Sequence, residues 1–177
     1  MTYVPPPIMG IGTTVSALAA HDTPGSILCT NSITTQAYPL ANLALFVPFS
    51  VSHPCTAYEG WIETGGTATG NFDIGIYDAA GSRLTSSGST ASAASTVVNT
   101  TTMANQTLLP GKRYYMAFAE DTNTDTFFCT AMAAGIYEAS VILEATTAFV
   151  LPASPTLSRT TRAFVPHFGL NLYTVSF

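Results

Sequence analysis

The strongest constraint on the fold is a period of two. In Asn71-Phe-Asp-Ile-Gly-Ile-Tyr77, the residues Phe72, Ile74 and Ile76 alternate with Asp73, Gly75 and Tyr77. An extended chain therefore presents three large apolar side chains on one face. Residues 114–119 repeat the pattern: Tyr114, Met116 and Phe118 oppose Tyr115, Ala117 and Ala119, and both faces read as at least partly buried. In residues 58–64, Tyr58, Gly60 and Ile62 are expected on one face, with Glu59, Trp61 and Glu63 on the other. Only residues 14–20 suggest a helix, and a short one.

Turn residues set the spacing. Gly65-Gly66, Gly70, Asp78-Ala-Ala-Gly81, Pro110-Gly111 and Asp121-Thr-Asn-Thr-Asp125 separate the runs, each suited to positive φ or to side-chain capping of a turn. Strands are expected over 44–51 (bent by Pro48), 58–64, 71–77, 82–86, 96–102 (a polar edge), 113–120, 127–131 and 139–145. About eight short strands at this spacing predict an all-β chain, a jelly-roll-like antiparallel β-sandwich. Pro5-Pro6-Pro7 favours polyproline II, so residues 1–40 read as an extended N-terminal arm. Residues 41–145 read as the sandwich and 146–177 as a C-terminal tail whose alternating end, 170–177, forms a final strand on the sandwich or on a neighbouring subunit.

Charged residues are 8% of the chain, hydrophobic residues are 47%, and Ser and Thr supply about a quarter. Ordinary domains carry about 25% charge. No run approaches the roughly 20 apolar residues of a spanning helix. A net charge of −5 with one lysine, Lys112, removes the attraction that dominates nucleic-acid and anionic-membrane binding. The N-terminus lacks the basic and apolar regions of a signal peptide, so synthesis in a cytoplasm is expected. Asn99-Thr-Thr and Asn105-Gln-Thr match the glycosylation pattern, which matters only along a secretory route. A poorly charged surface is best kept from water by neighbours, and the expectation is a component of an assembly.

Two segments, Gly70-Asn-Phe-Asp-Ile-Gly-Ile-Tyr-Asp-Ala-Ala-Gly-Ser-Arg-Leu84 and Leu109-Pro-Gly-Lys-Arg-Tyr-Tyr-Met-Ala-Phe118, resemble the β-sandwich modules of tailed-bacteriophage structural proteins, among them capsid decoration proteins and tail or fibre components. The resemblance implies a non-enzymatic virion protein, often trimeric, that cements neighbouring capsid subunits. The alternative is a tail or fibre module binding a host receptor or glycan. It transfers no catalytic residue and no cofactor. Capsid or other virion proteins are the expected partners, contacted through Tyr3, Val4, Pro5, Pro6, Pro7, Ile8, Leu172, Tyr173 and Phe177.

Chemistry-bearing residues are few. His21, His53 and His167 are the only histidines, and no Gly-x-Ser-x-Gly elbow is present. Cys29, Cys55 and Cys129, with His53, offer zinc chemistry at the wrong spacing; buried thiols are expected. Asp121, Asn123 and Asp125 imitate the start of a calcium loop that fails at Thr126 and Met132, leaving either a looser calcium site or a solvated hairpin loop. Glu59, Glu63, Asp73, Asp78, Glu120 and Glu138 raise the question of a glycosidase pair, which needs two carboxyls facing one cleft. Trp61, Tyr77, Tyr115 and Phe128, with Tyr114 and Phe127 nearby, are core side chains or an exposed aromatic platform.

Overall fold

The structure, a computed structural model, describes residues 14–16, 33–94, 98–131, 142–162 and 164–174. Every regular element among them is a strand: β1 Thr14–Ser16, β2 Ile33–Ala37, β3 Leu43–Phe49, β4 Cys55–Glu63, β5 Asn71–Asp78, β6 Arg83–Ser86, β7 Thr90–Ala91, β8 Val98–Leu108, β9 Tyr114–Glu120, β10 Thr126–Ala131, β11 Leu143–Ala145, β12 Ser158–Arg159, β13 Phe164–Pro166 and β14 Phe168–Thr174. All pairings are antiparallel. The largest sheet runs β12-β11-β3-β9-β5-β6, with β7 on β5. A second runs β1-β14-β4-β8 and a third β13-β10-β2. The predicted all-β antiparallel sandwich is what forms.

Strand β9 lies at the centre, and all seven of its residues are buried. Register explains how. Leu45, Phe118 and Ile74 stand in one row across β3, β9 and β5, and Val47, Met116 and Ile76 in the next. These rows pack on Ala57 and Ile62 of β4, Phe168 and Leu170 of β14, and Phe127 of β10. The sheets meet so closely that a Cβ on Gly60 would lie 2.7 Å from an Ile74 methyl, which only glycine tolerates. Phe118 is the aromatic hub, with Tyr38 and Phe127 edge-on at 5.3 Å and Phe168 at 5.5 Å.

The opposite face of the same sheet presents Ala44, Phe46, Tyr77, Tyr115, Ala117 and Ala119, and Ala148 and Leu151 cover it. Hydrogen bonds pin this cover. The Leu151 amide donates to Asp73 Oδ2 at 3.0 Å, Tyr77 Oη donates to the Pro152 carbonyl at 2.7 Å, and Arg83 donates to the carbonyls of Leu151 (from Nη1) and Ala153 (from its amide). Gly75 leaves the space that the Leu151 side chain fills.

Several expectations are refined. Thr14–Ser16 is a strand on β14 instead of the start of a helix, because Thr and Val suit a sheet and β14 offers an edge; residues 17–20 lie outside the described residues. Residues 33–37, read as arm, form β2 against β10, and Tyr38 is buried. The final strand begins at Phe168 and sits between β1 and β4 of its own chain. A bulge between Ala57 and Glu59 breaks the alternation of β4, so Tyr58 shares the outer face with Trp61.

Tyr38 tests the hub. Its hydroxyl donates to the Leu43 carbonyl at 3.1 Å, and its ring fills space against Phe118 and Phe127. Guanidinium unfolding of Tyr38→Ala should show a loss of about 3–5 kcal/mol, and Tyr38→Phe only about 1 kcal/mol. Equal losses would place its contribution in the hydroxyl alone.

Candidate functional site

Three carboxyl groups gather where β9 runs into the loop before β10. Asp125 accepts from the Thr69 amide at 2.7 Å, the Thr69 hydroxyl at 3.1 Å and the Gly70 amide at 2.9 Å. Asp121 accepts from the Asn71 amide at 2.8 Å and the Asn71 side-chain amide at 2.7 Å. The two aspartates thus clasp the chain entering β5, and Gly70 sits where a Cβ would strike the Glu120 and Asp121 carboxyls. Glu120 is fully buried beside them. Burial, then the charges of Asp125 and Asp121, then a proton shared with the Asp121 carboxylate push its pKa up to about 9; the nearby Thr122 amide offsets this only partly. Glu120 is a neutral acid at physiological pH.

Other buried acids are also structural. Asp73 accepts from Leu151, from the Ser87 hydroxyl and from the Gly88 amide. Burial raises its pKa and these bonds oppose the rise. Glu144 accepts from the Thr160 hydroxyl at 2.7 Å and pairs with Arg162 at 3.3 Å.

A different surface lies on the outer face of the β1-β14-β4-β8 sheet. With Gly60 and Ile62 turned inward, Glu59, Trp61 and Glu63 face outward, and with Leu170 and Leu172 in the core, Asn171 and Tyr173 do the same. Trp61 stands opposite Gly169 and Glu59 opposite Asn171. The Asn171 side-chain amide donates to Glu59 Oε1. Tyr58 and Tyr173 pack with ring centroids 5.7 Å apart, and Asn105 Nδ2 donates to Tyr173 Oη at 3.3 Å. Glu63 meets His167 Nδ1 at 3.3 Å.

The residues selected from sequence scatter across these regions. Trp61 is half-buried on the outer face, and its indole N–H is buried without an acceptor. Phe128 is half-buried on β10, on the face of another sheet. Tyr77 and Tyr115 are buried under residues 148–151, Tyr115 with Arg113 5.3 Å over its ring, so neither is available to a ligand. Tyr114 and Phe127 are core. Leu172 is core as well and cannot serve an interface, whereas Tyr173 is 45% exposed. Tyr3, Val4, Pro5, Pro6, Pro7, Ile8 and Phe177 lie outside the described residues, as do His21, Cys29 and Glu138.

Cys55 and Cys129 are buried free thiols. Burial raises the pKa of both, that of Cys129 to about 11, and Cys129 donates to the Thr34 carbonyl. His53 is exposed beside Ser52. Asp121 and Asp125 use their oxygens on backbone amides and Asn123 is exposed. Among the described residues no group of three or more His, Cys, Asp or Glu is placed to hold a metal ion, and no helix is long and apolar enough to cross a membrane. Tyr58 and Asn171 escaped the sequence reading because a bulge and a cross-strand pairing bring them to the outer face.

No protein-family model, curated protein or solved structure matches the chain.

Glu120 makes stability depend on pH. Its pKa rises from 4.5 to about 9 on folding, so the folded state holds a proton that the unfolded state has released between those values. Its contribution is full below about pH 4.5 and is lost as pH rises toward 9, at about 1 kcal/mol per pH unit; Asp73 adds a slope of the same sign. Glu120→Gln should flatten the profile and be more stable than the parent at pH 8 by about 2–4 kcal/mol. Parallel profiles for the two proteins would show that Glu120 ionises normally.

Proposed function

We propose that the chain is a non-enzymatic structural protein of a virion, a homotrimer that caps and cements neighbouring capsid subunits. The observation that carries the assembly role is how charge is distributed over the sheet edges. The largest sheet ends in β6 and β12, which carry Arg83 and Arg159. Charged side chains on edge strands discourage pairing with other chains. The other two sheets end in uncharged strands, β1 and β8 in one and β13 and β2 in the other, of which β8 and β2 are the longer. The eleven residues of β8, Val-Asn-Thr-Thr-Thr-Met-Ala-Asn-Gln-Thr-Leu, and the five of β2, Ile-Thr-Thr-Gln-Ala, contain no charge and no proline. Among the described residues no strand pairs with their far sides. The outer edge of β8 is touched where the Thr85 hydroxyl donates to the Ala104 carbonyl at 3.1 Å.

Burial deepens the shortage of surface charge. Of ten acidic residues in the chain, Asp73, Glu120, Asp125 and Glu144 are buried. What faces outward is largely Thr, Ser, Ala and Asn, a surface suited to contact with protein; obligate interfaces of this kind bury more than about 2,000 Å². The likeness of residues 70–84 and 109–118 to tailed-phage sandwich modules supports a virion as the setting.

Lysine on an edge strand blocks strand addition without removing core contacts. Thr102 and Thr107 are exposed on β8. In sedimentation velocity over a concentration series, the parent should associate, and Thr102→Lys/Thr107→Lys should weaken association by about tenfold or more with an unchanged circular dichroism spectrum. A parent that stays monomeric at every concentration, or a variant that associates equally well, contradicts the edge as the docking surface.

A further inference from the structure

We propose that the outer face of the β1-β14-β4-β8 sheet is a binding site for a neutral oligosaccharide, seated on Trp61 and on the Tyr58–Tyr173 pair with Glu59 and Asn171 between them. The inference does not rest on the virion reading and holds wherever the chain is displayed.

Geometry supplies the first support. Trp61 and Tyr58 are three residues apart on β4, about 10 Å along a strand before the bulge is allowed for. Both occupy the outer face, Trp61 through the alternation of β4 and Tyr58 through its packing on exposed Tyr173. Opposite Trp61 on β14 stands Gly169, which brings no side chain of its own to that position. Two aromatic contacts on one face of a sheet, separated by the length of a short sugar chain, suit the apolar faces of two pyranose rings.

Polar chemistry supplies the second. The space between the aromatic contacts is held by the Glu59–Asn171 hydrogen bond, which fixes both side chains across the strands. Glu59 Oε2 remains an acceptor for sugar hydroxyls, and Asn105 holds the Tyr173 hydroxyl in place. A pre-ordered acceptor between two stacking platforms is what a polyhydroxylated ligand needs, since its hydroxyls must be paired as its ring faces leave water.

Charge selects the ligand class. Strands β4, β8 and β14 contain no Lys or Arg, and Glu59 and Glu63 face outward. Sulfated, phosphorylated or sialylated glycans meet a face of their own sign, leaving neutral chains as the fit.

The chain has a single tryptophan, so its emission reports this face alone. Titration of the full chain with a panel of neutral oligosaccharides (gluco-, manno-, galacto- and N-acetylglucosamine hexamers), each to about 1 mM, should give a saturable shift of Trp61 emission for at least one. Calorimetry should then show Tyr173→Ala and Trp61→Ala each weakening that ligand by about tenfold, with Trp61→Phe losing less. Tyr173→Ala leaves the core untouched because Tyr173 is exposed, so its loss of binding cannot be a loss of fold. Four outcomes overturn the site: no shift with any neutral hexamer, a shift that survives Tyr173→Ala and Glu59→Gln, binding confined to a sulfated or sialylated control, or an emission change that follows self-association instead of sugar.

Discussion

A strand whose seven residues are all removed from water needs an apolar cover on each side, and β9 receives two of different construction. One is sheet on sheet, with Phe118 as the hub among Tyr38, Phe127 and Phe168. The other includes the irregular segment around Leu151, laid on alanines and held by polar bonds from Asp73, Tyr77 and Arg83. Burial of both faces dictates the rest. Backbone that must pass close to the central sheet without strand pairing needs donors and acceptors, and buried carboxylates provide them. The scarce charge of the chain is in this way drawn inward. Asp73 holds the outer cover, Asp121 and Asp125 hold the entrance to β5, and Glu144 joins β11 to residues 160–162.

This internal use of charge links fold to function. A carboxylate that binds backbone amides contributes nothing to solubility, so the exterior is less charged than the composition suggests. The arginines left on β6 and β12 guard the edges of the largest sheet. No such guard stands on β8 or β2. The outer face of β4 and β14 differs again: its aromatic and acidic residues are arranged by register, with no role in the core that would explain them.

The sequence revealed whatever depends on neighbours two residues apart. Alternation located β5 and β9, identified Phe72, Ile74 and Ile76 as an inward face and set Met116 and Phe118 on one face of β9, because a strand buried in a sheet must alternate against its partners. It also marked the Asp78–Gly81 and Pro110–Gly111 turns, where Gly81 and Gly111 have φ of 84° and 75°. What depends on distant segments was not legible. Asp73 was correctly placed opposite Phe72, but only the arrival of Leu151 shows that its face is buried too. Glu120 looks like a solvated strand end until residues 69–71 fold over it. The bulge that turns Tyr58 outward leaves no mark in composition, and the pairing of β1 with β14 joins positions more than 150 residues apart.

The central claim is that the two longest charge-free edge strands, β8 and β2, are where neighbouring subunits attach. Hydrogen–deuterium exchange with mass-spectrometric readout, comparing the dilute chain with the assembled state, tests it most directly. The account predicts that β9 amides are protected in both states, while peptides covering 98–108 and 33–37 exchange quickly in the dilute chain and become protected on assembly. Protection gained at β6 and β12 instead, with β8 and β2 still exchanging quickly in the assembly, would contradict it.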